Sequence, residues 1–549
     1  MNHFEVRIFM MKKRLLLAIL VLGIIVALPL VLRRPAEQLP TAQRQLVILT
    51  PHNESIRHEI EIAFREYHRK RTGEEVSIDW RAIGGTTECV RYLRSTFTAN
   101  FQHDWCQRNP KFDWNDQIAS EVFSNRTPLE GDEPASRARK DFLEGNVGID
   151  IDIFMGGGQY DYAGLSASGI LVPSGVQQRH PEWFDGTEPI LSAGGGGEIW
   201  YDTQDRYYAT CFSSFGIILN FDRLRQAGFA DDEVAHFGEH WRDLADPRLY
   251  QSIGIADPSQ SGSINKCFEM LIQREMQDEI AKTHPGDPHP QPTPEELDRA
   301  WTRAFTLIKQ LGGNAAYLTF SAGKIPADAA NGQIAAGMCI DFYGRSQVAW
   351  EREHIGRETV QYRTPHAAST VSADPIGILR GAPDRELAEE FIDFVLSQEA
   401  QRLWARPAGS QGGPVRYTLY RQPVRRDLYT KEEMAANTCI GNAQPFELAR
   451  DFEYRGDWTG RLFTVMRILI KVMIIDCGPE LRAAWKEILE QGGLEAISPE
   501  QRAAFEALPF HYAEASEALS AVSTPESQAI LQRQWIEFFR SNFARARQR

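Results

Sequence analysis

None of the seven cysteines falls in a C-x-x-C pair, so metal-finger spacing is absent. Lys and Arg number 60 against 74 Asp and Glu, and a net charge of −14 with no long basic stripe argues against a nucleic-acid binder. That acidic total leaves anion binding open, because a local cleft can be positive or lined with backbone N–H groups. No G-x-S-x-G, phosphate-loop or dinucleotide fingerprint occurs. The apolar run near the N-terminus is followed by neither a small-x-small cleavage site nor a cysteine that could take a lipid. Cys89, Cys106, Cys211, Cys267, Cys339, Cys439 and Cys477 are scattered. In an exported protein Cys89–Cys106 and Cys439–Cys477 could bridge, and the odd count leaves at least one thiol free.

What is present fits a globular protein. A chain of 549 residues, 42% hydrophobic and 24% charged, has room for two or three domains. The run LLLAILVLGIIVALPLVL, residues 15–32, carries no charge and lies between Lys12-Lys13-Arg14 and Arg33-Arg34. Its length is near the minimum for a membrane span and exceeds most signal-peptide cores. It reads as an uncleaved signal-anchor, residues 1–41 being a cytoplasmic tail, anchor and linker, with a cleaved signal peptide as the alternative; either way the body lies outside the cytoplasm. Arg33-Arg34 on the far side runs against the usual charge asymmetry.

Residues 45–50 (QLVILT) form a short apolar strand that stops at Pro51-His52-Asn53. From Ser55 onward Ile56, Ile60, Phe64 and Tyr67 recur at helical spacing. EVSIDWR (75–81) is a second strand, and Gly84-Gly85-Thr86-Thr87 opens a helix through Val90, Tyr92 and Leu93. Residues 100–145 show no sustained period and read as an insertion on the surface or at a cleft rim. IDIDIFM (149–155) ends in Gly156-Gly157-Gly158, and YYATCFSSFGIILN (207–220) is two strands broken at Ser213-Ser214. IGIAD (253–257) precedes Pro258–Ser263 and a helix. Further strands follow at 335–342 and 373–379, an amphipathic helix at 386–405, and a mainly helical region at 430–549. Alternation of strands and helices predicts an α/β fold with parallel sheets.

Gly84–Thr87, Gly156–Gly158 and Ser259–Ser263 share one design, and Pro51–Asn53 is a polar variant. In each a strand ends, small polar residues follow and a helix begins. Unpaired N–H groups and a partial positive charge make such loops receptive to anions and polar oxygens. Each alone is equally a good helix cap; four in one chain favour a cleft. His236-Phe237-Gly238-Glu239-His240 matches H-x-x-E-H, yet Gly238 interrupts the helix a zinc site needs, so a surface loop is the preferred reading. His284, Asp287 and His289 sit in a proline-rich solvated loop, and Tyr207-Tyr208 read as packing aromatics.

The order of segments TPHNESIRHEIEIAFREYHRKRTGEEVSIDWRAIGGT, IDIFMGGGQYDYAGLSASGIL, SSFGIILNFDRL, WRDLADPRLYQSIGIADPSQSGS and AEEFIDFVLSQEAQRLWA resembles the periplasmic solute-binding proteins of ABC importers, in the ferric-iron and phosphate-ester-like group. The resemblance covers about residues 45–415 except 100–145, and rests on order rather than on one diagnostic motif. It implies a type II two-lobed α/β fold whose strands cross near Ser213-Ser214 and Ser372-Ala373-Asp374. Lobe 1 would be 42–212 with 373–429, lobe 2 would be 213–372, and 430–549 a helical extension packed on lobe 1. The implied task is capture of a small polar or anionic solute for a membrane permease, with no chemistry on the solute, no cofactor and no nucleic acid. The implied ligand residues are His52, Asn53, Gly85, Thr86, Thr87, Gly157, Ser214, Ser261, Ser263, Asp341, Tyr343 and Arg345, with Arg345 as the fixed positive charge. Iron-binding members end a strand similar to GQIAAGMCIDFYGRSQVAW in two adjacent tyrosines; here Phe342-Tyr343 retains the second. A ferric site would fall to His52, Asp341 and Tyr343, the last two sharing one face of a strand. Otherwise Tyr343 serves as a neutral O–H donor. A ferric-binding protein of the same family is one alternative. An extracytoplasmic metal-dependent hydrolase is another, lacking a recognisable nucleophile or metal set.

Overall fold

The computed structural model describes residues 44–287, 289–356, 358–441, 443–522 and 525–548. The apolar run at 15–32 lies outside them; among the described residues no helix is long and apolar enough to cross a membrane. Two sheets organise the chain. In the first, β1 (Arg44–Leu49) pairs in parallel with β2 (Val76–Arg81) and β3 (Ile153–Met155). Next to β3, β13 (Ser372–Leu379) runs antiparallel to β3, to β4 (Leu171–Val172) and to β7 (Tyr208–Ser213). The second sheet has the order β10 (Ala315–Thr319), β9 (Ile253–Ala256), β11 (Ala336–Ile340), β8 (Phe215–Asn220), β12 (Val360–Arg363). There β8 is antiparallel to both neighbours.

Both sheets are therefore mixed, not parallel as expected. A parallel neighbour needs a crossover helix. Instead β7 continues into β8 through Ser214 alone, and β12 returns to β13 by a short linker, so β8 and β13 enter their sheets from the other lobe. These two passages are the strand crossings between lobes.

Helix α1 (Glu54–Thr72) starts where the Asn53 side chain accepts from Ile56 N (3.1 Å), and ends at Gly73 in the left-handed region. With α9 (Arg385–Leu396) and α10 (Gln398–Ala405) it shares the core on one face of the first sheet, where Phe64 meets Phe391 edge-on at 4.9 Å. The opposite face corrects the reading of 100–145 as an aperiodic insertion. Helix α2 (Thr86–Arg108) runs on past residue 100, burying Leu93, Phe97, Phe101 and Trp105 at four-residue spacing. With α3 (Asp116–Glu121) and α4 (Pro134–Glu144) it builds a separate core around Phe142.

In the second lobe α6 (Gly262–Ile280) and α7 (Pro294–Asn314) cover the sheet. The extension was expected on lobe 1, and this is corrected. Only its first part, with Phe446 and Ala449, joins the first core. Helices α11 (Phe463–Ile470), α12 (Gly478–Glu490), α13 (Pro499–Glu506) and α14 (Pro525–Ala546) join the core of lobe 2. Gly312 and Gly313 of α7 leave a notch that Ile474, Leu481 and Trp485 fill, and Trp485 Nε1 donates to Asn314 Oδ1 (2.9 Å). All seven cysteines are free, so neither candidate bridge forms.

A third passage between lobes follows Phe446. The hairpin of β5 (Gly194–Gly195) and β6 (Glu198–Ile199) belongs to lobe 1, and Tyr454 N donates to Gly196 O (2.7 Å) beside it. Buried Glu198 then meets Lys266 of α6 at 2.9 Å, and Lys266 also pairs with Glu269 (2.9 Å) over the Tyr454 ring (3.8 Å). Burial works against the Lys266 ammonium, but Glu198 and Glu269 outweigh it and hold its pKa above the ordinary value.

Candidate functional site

The crossing strands bury a polar network. Asp374 on β13 accepts from Arg421 Nη1 (2.6 Å) and from Gly157 N (2.6 Å), and lies 3.0 Å from His52 Nε2. Burial alone would raise the Asp374 pKa; Arg421, His52 and the Gly157 amide reverse that and hold it well below the carboxylate range. Arg421 also stacks on Phe342 (3.9 Å). One residue on, Gln422 Nε2 donates to Asp341 Oδ2 (2.6 Å), and Arg345 reaches the same carboxylate at 2.9 Å. Ser214, at the β7–β8 break, donates from Oγ to Asp341 Oδ2 at 3.3 Å. Arg421 and Gln422 thus link a lobe 1 aspartate to a lobe 2 aspartate behind the cleft.

In front of that network, three helix N-termini converge on α11. The α2 start lies there because Arg467 Nη1 donates to Thr87 Oγ1 (3.4 Å). The start of α5 (Gln159–Ser168) lies there because Tyr160 packs on Phe463 (5.7 Å between ring centroids). From lobe 2, Asn265 in the first turn of α6 donates to Phe463 O (3.0 Å). The two lobe 1 loops also touch: Gly157, at φ +115°, lies where a Cβ would sit 2.6 Å from Thr86 Cγ2. No L side chain adopts that conformation without strain, which keeps the loop backbone against Thr86.

Several sequence expectations change here. Asp341 and Tyr343 do not share a strand face, because β11 ends at Ile340 and both lie in the first turn of α8 (Asp341–Ile355). Two residues apart on a helix point to different sides. Asp341 is fully buried, whereas Tyr343 is half-buried beside Phe342 and Gly323. Arg345 is not a free charge, since Asp341 one helical turn earlier neutralises it. His52, expected to face a ligand, is buried against Asp374 (3.0 Å). The Asn53 side chain is engaged as the α1 cap. Asp341 is held by Arg345 and His52 lies 3.0 Å from Asp374, so these two side chains of the expected ferric set already have partners within the crossing network. Gly85 precedes α2, Thr86 and Thr87 are half-buried in its first turn, and Ser214 is buried at the crossing. Ser261 caps α6 through Ile264 N (3.3 Å) and lies 3.1 Å from the Ser263 hydroxyl. His236 and Glu239 pair with each other on the surface (2.9 Å).

Sequence reasoning missed Arg421, Gln422 and Arg467. The first two follow the amphipathic 386–405 helix in a segment with no periodicity of its own. Arg467 interrupts the apolar run FTVMRILI, a cation inside a buried helix, and that was the available signal.

Residues 230–407 match the family model described as bacterial extracellular solute-binding protein. The two sheets form two α/β lobes joined by the β7–β8 and β12–β13 passages. An uncharacterized protein of Haemophilus influenzae is 24% identical over 204 residues, 37% of this chain and 48% of that one, so the chain spans about half of that relative's length. The periplasmic binding protein AfuA of Actinobacillus pleuropneumoniae, solved with fructose-6-phosphate, is 17% identical at a TM-score of 0.39, over 66% of this chain and 82% of that one. The apo ferric ion-binding protein A of Pasteurella haemolytica is 11% identical at a TM-score of 0.44, over 79% of this chain and 98% of that one.

Proposed function

We propose that the protein is the extracytoplasmic solute-binding component of an ABC importer, and that it captures a small anionic solute between its lobes for a membrane permease. The observation that carries this reading is the meeting of the α2, α5 and α6 N-termini, two from lobe 1 and one from lobe 2, at one place beside α11. Helix N-termini present unpaired N–H groups and positive potential, so a solute bound there without transformation is most favourably an oxyanion. Thr86, Thr87, Ser261 and Ser263 supply hydroxyl donors on either side, and Tyr343 serves as a neutral O–H donor. The run at residues 15–32 tethers the carrier to the inner membrane with the lobes in the periplasm.

Titration calorimetry against phosphate esters, carboxylates, neutral sugars and ferric ion tests the ligand class. An anion is expected to bind without turnover; binding only to neutral or cationic solutes refutes the reading. A visible charge-transfer band with ferric ion, lost in Tyr343→Phe, would make the protein an iron carrier. N-terminal sequencing of the mature protein tests the tether, and a start near residue 43 would refute it.

A further inference from the structure

We propose that Arg467, supplied by the C-terminal extension, is the cationic anchor of the cleft and makes it selective for solutes bearing a phosphate or carboxylate group. The inference rests on the reading of the cleft as a solute site. Among the arginines near it are Arg345, Arg421, Arg467 and Arg94, and the first two are already committed. Arg421 pairs with Asp374 at 2.6 Å and Arg345 with Asp341 at 2.9 Å. Among the described residues Arg467 forms no ion pair within 4.0 Å, and its side-chain hydrogen bond goes to the neutral Thr87 hydroxyl at 3.4 Å.

Its placement matters as much as its freedom. Arg467 is half-buried on α11, one turn after Phe463, which touches both the start of α5 and the first turn of α6. Neighbours in the helix, Met466 and Ile468, are buried in the lobe 2 core and fix the backbone that carries it. The guanidinium therefore projects from lobe 2's side toward the α2 loop of lobe 1. A guanidinium has five donors in a planar fork, and one contact to Thr87 leaves an edge for two oxygens of an oxyanion. The acidic group that senses it is Asp161 in the first turn of α5, which also senses Arg94. Burial pushes the Asp161 carboxyl up to about 6, against the pull of both arginines, so it leaves Arg467 to an anion below about pH 6 and competes for it above.

The test is titration calorimetry of the full-length chain with glucose 6-phosphate, succinate and glucose. Wild-type protein should bind at least one of the two anions. Arg467→Gln should weaken that anion roughly ten- to a hundredfold, the range for loss of a charged hydrogen-bond partner. Arg467→Lys should recover part of the affinity, and Arg461→Gln, exposed on the same extension, should leave it unchanged. Melting temperatures matching wild type for Arg467→Gln and Arg467→Lys exclude a folding effect; if the Gln variant fails to fold, the Lys variant alone must show the intermediate loss. Equal anion affinity in wild type and Arg467→Gln overturns this inference and leaves the carrier function standing. A wild-type chain that binds neither anion overturns both.

Discussion

Lys309, on α7, has no solvent exposure, and its amine donates to Phe505 O (2.7 Å) and Ala507 O (2.8 Å), where α13 ends. Burial drives its pKa from 10.5 down to about 7, with only Glu506 pulling the other way. In the unfolded chain the same amine titrates near 10.4. Between those values the unfolded state holds a proton that the folded state has released. Stability therefore rises with pH across that window, and below about pH 7, where both states are protonated, the full penalty is present. The limiting slope is about 1.4 kcal/mol per pH unit, so wild-type protein should gain about 2–3 kcal/mol between about pH 6 and 9 from this group. Lys309→Met removes the titration. It also strips the two carbonyls of their donor, a loss of about 1–3 kcal/mol that does not depend on pH. Urea denaturation of both proteins, followed by tryptophan fluorescence at four pH values across that range, isolates the term, because all other titrations cancel in the difference. The stability difference, wild type minus variant, should climb by about 2–3 kcal/mol. A difference that stays flat would show that the extension does not seal Lys309 against lobe 2.

Lys266→Met should leave Glu198 and Glu269 buried without a cation, at a cost of about 3–5 kcal/mol, and should accelerate hydrogen exchange in the β5–β6 hairpin; unchanged exchange there counts against the interlobe pair. Anion affinity should fall as pH rises from about 5 to 7, because Asp161 becomes a carboxylate near 6 beside Arg467 and Arg94, and Asp161→Asn should flatten the profile in calorimetry.

How much of this was legible depended on whether the signal was local. The strand, loop and helix of β1 and α1 follow from QLVILT, the Asn53 cap and the Ile56–Ile60–Phe64 spacing, all within one segment. So does the single-residue break between β7 and β8. The register of α2 beyond residue 100 was equally local, but aromatic and polar letters on its outer face concealed the buried Phe97–Phe101–Trp105 series. The strand-to-helix switch at Ile340 lacks a capping side chain, and Asp341 instead accepts from the adjacent Phe342 N (2.8 Å), so nothing in the sequence marks where α8 begins. That one boundary decided the direction of Asp341, Tyr343 and Arg345. The lobe that receives the extension was beyond any local reading. Amphipathic helices declare that they are covered without declaring by what, and here the partner is a diglycine notch in a helix far earlier in the chain.

The extension also alters what lobe movement requires. Two strands cross between the lobes, at Ser214 and through the linker 364–371, and a few backbone rotations at such passages can serve as a hinge. Here a third stretch of chain passes from the lobe 1 core at Phe446 and Ala449 to the lobe 2 core at Trp458, and the hairpin beside it places Glu198 on Lys266. Any rotation that separates the lobes at this point must part that pair. Removing one partner of such a pair costs about 3–5 kcal/mol, whereas parting it into water costs less, so the contact biases the lobes toward this arrangement without locking them. On the proposed carrier reading, release to a permease would have to loosen the Glu198–Lys266 contact or proceed from the side that the extension does not cover.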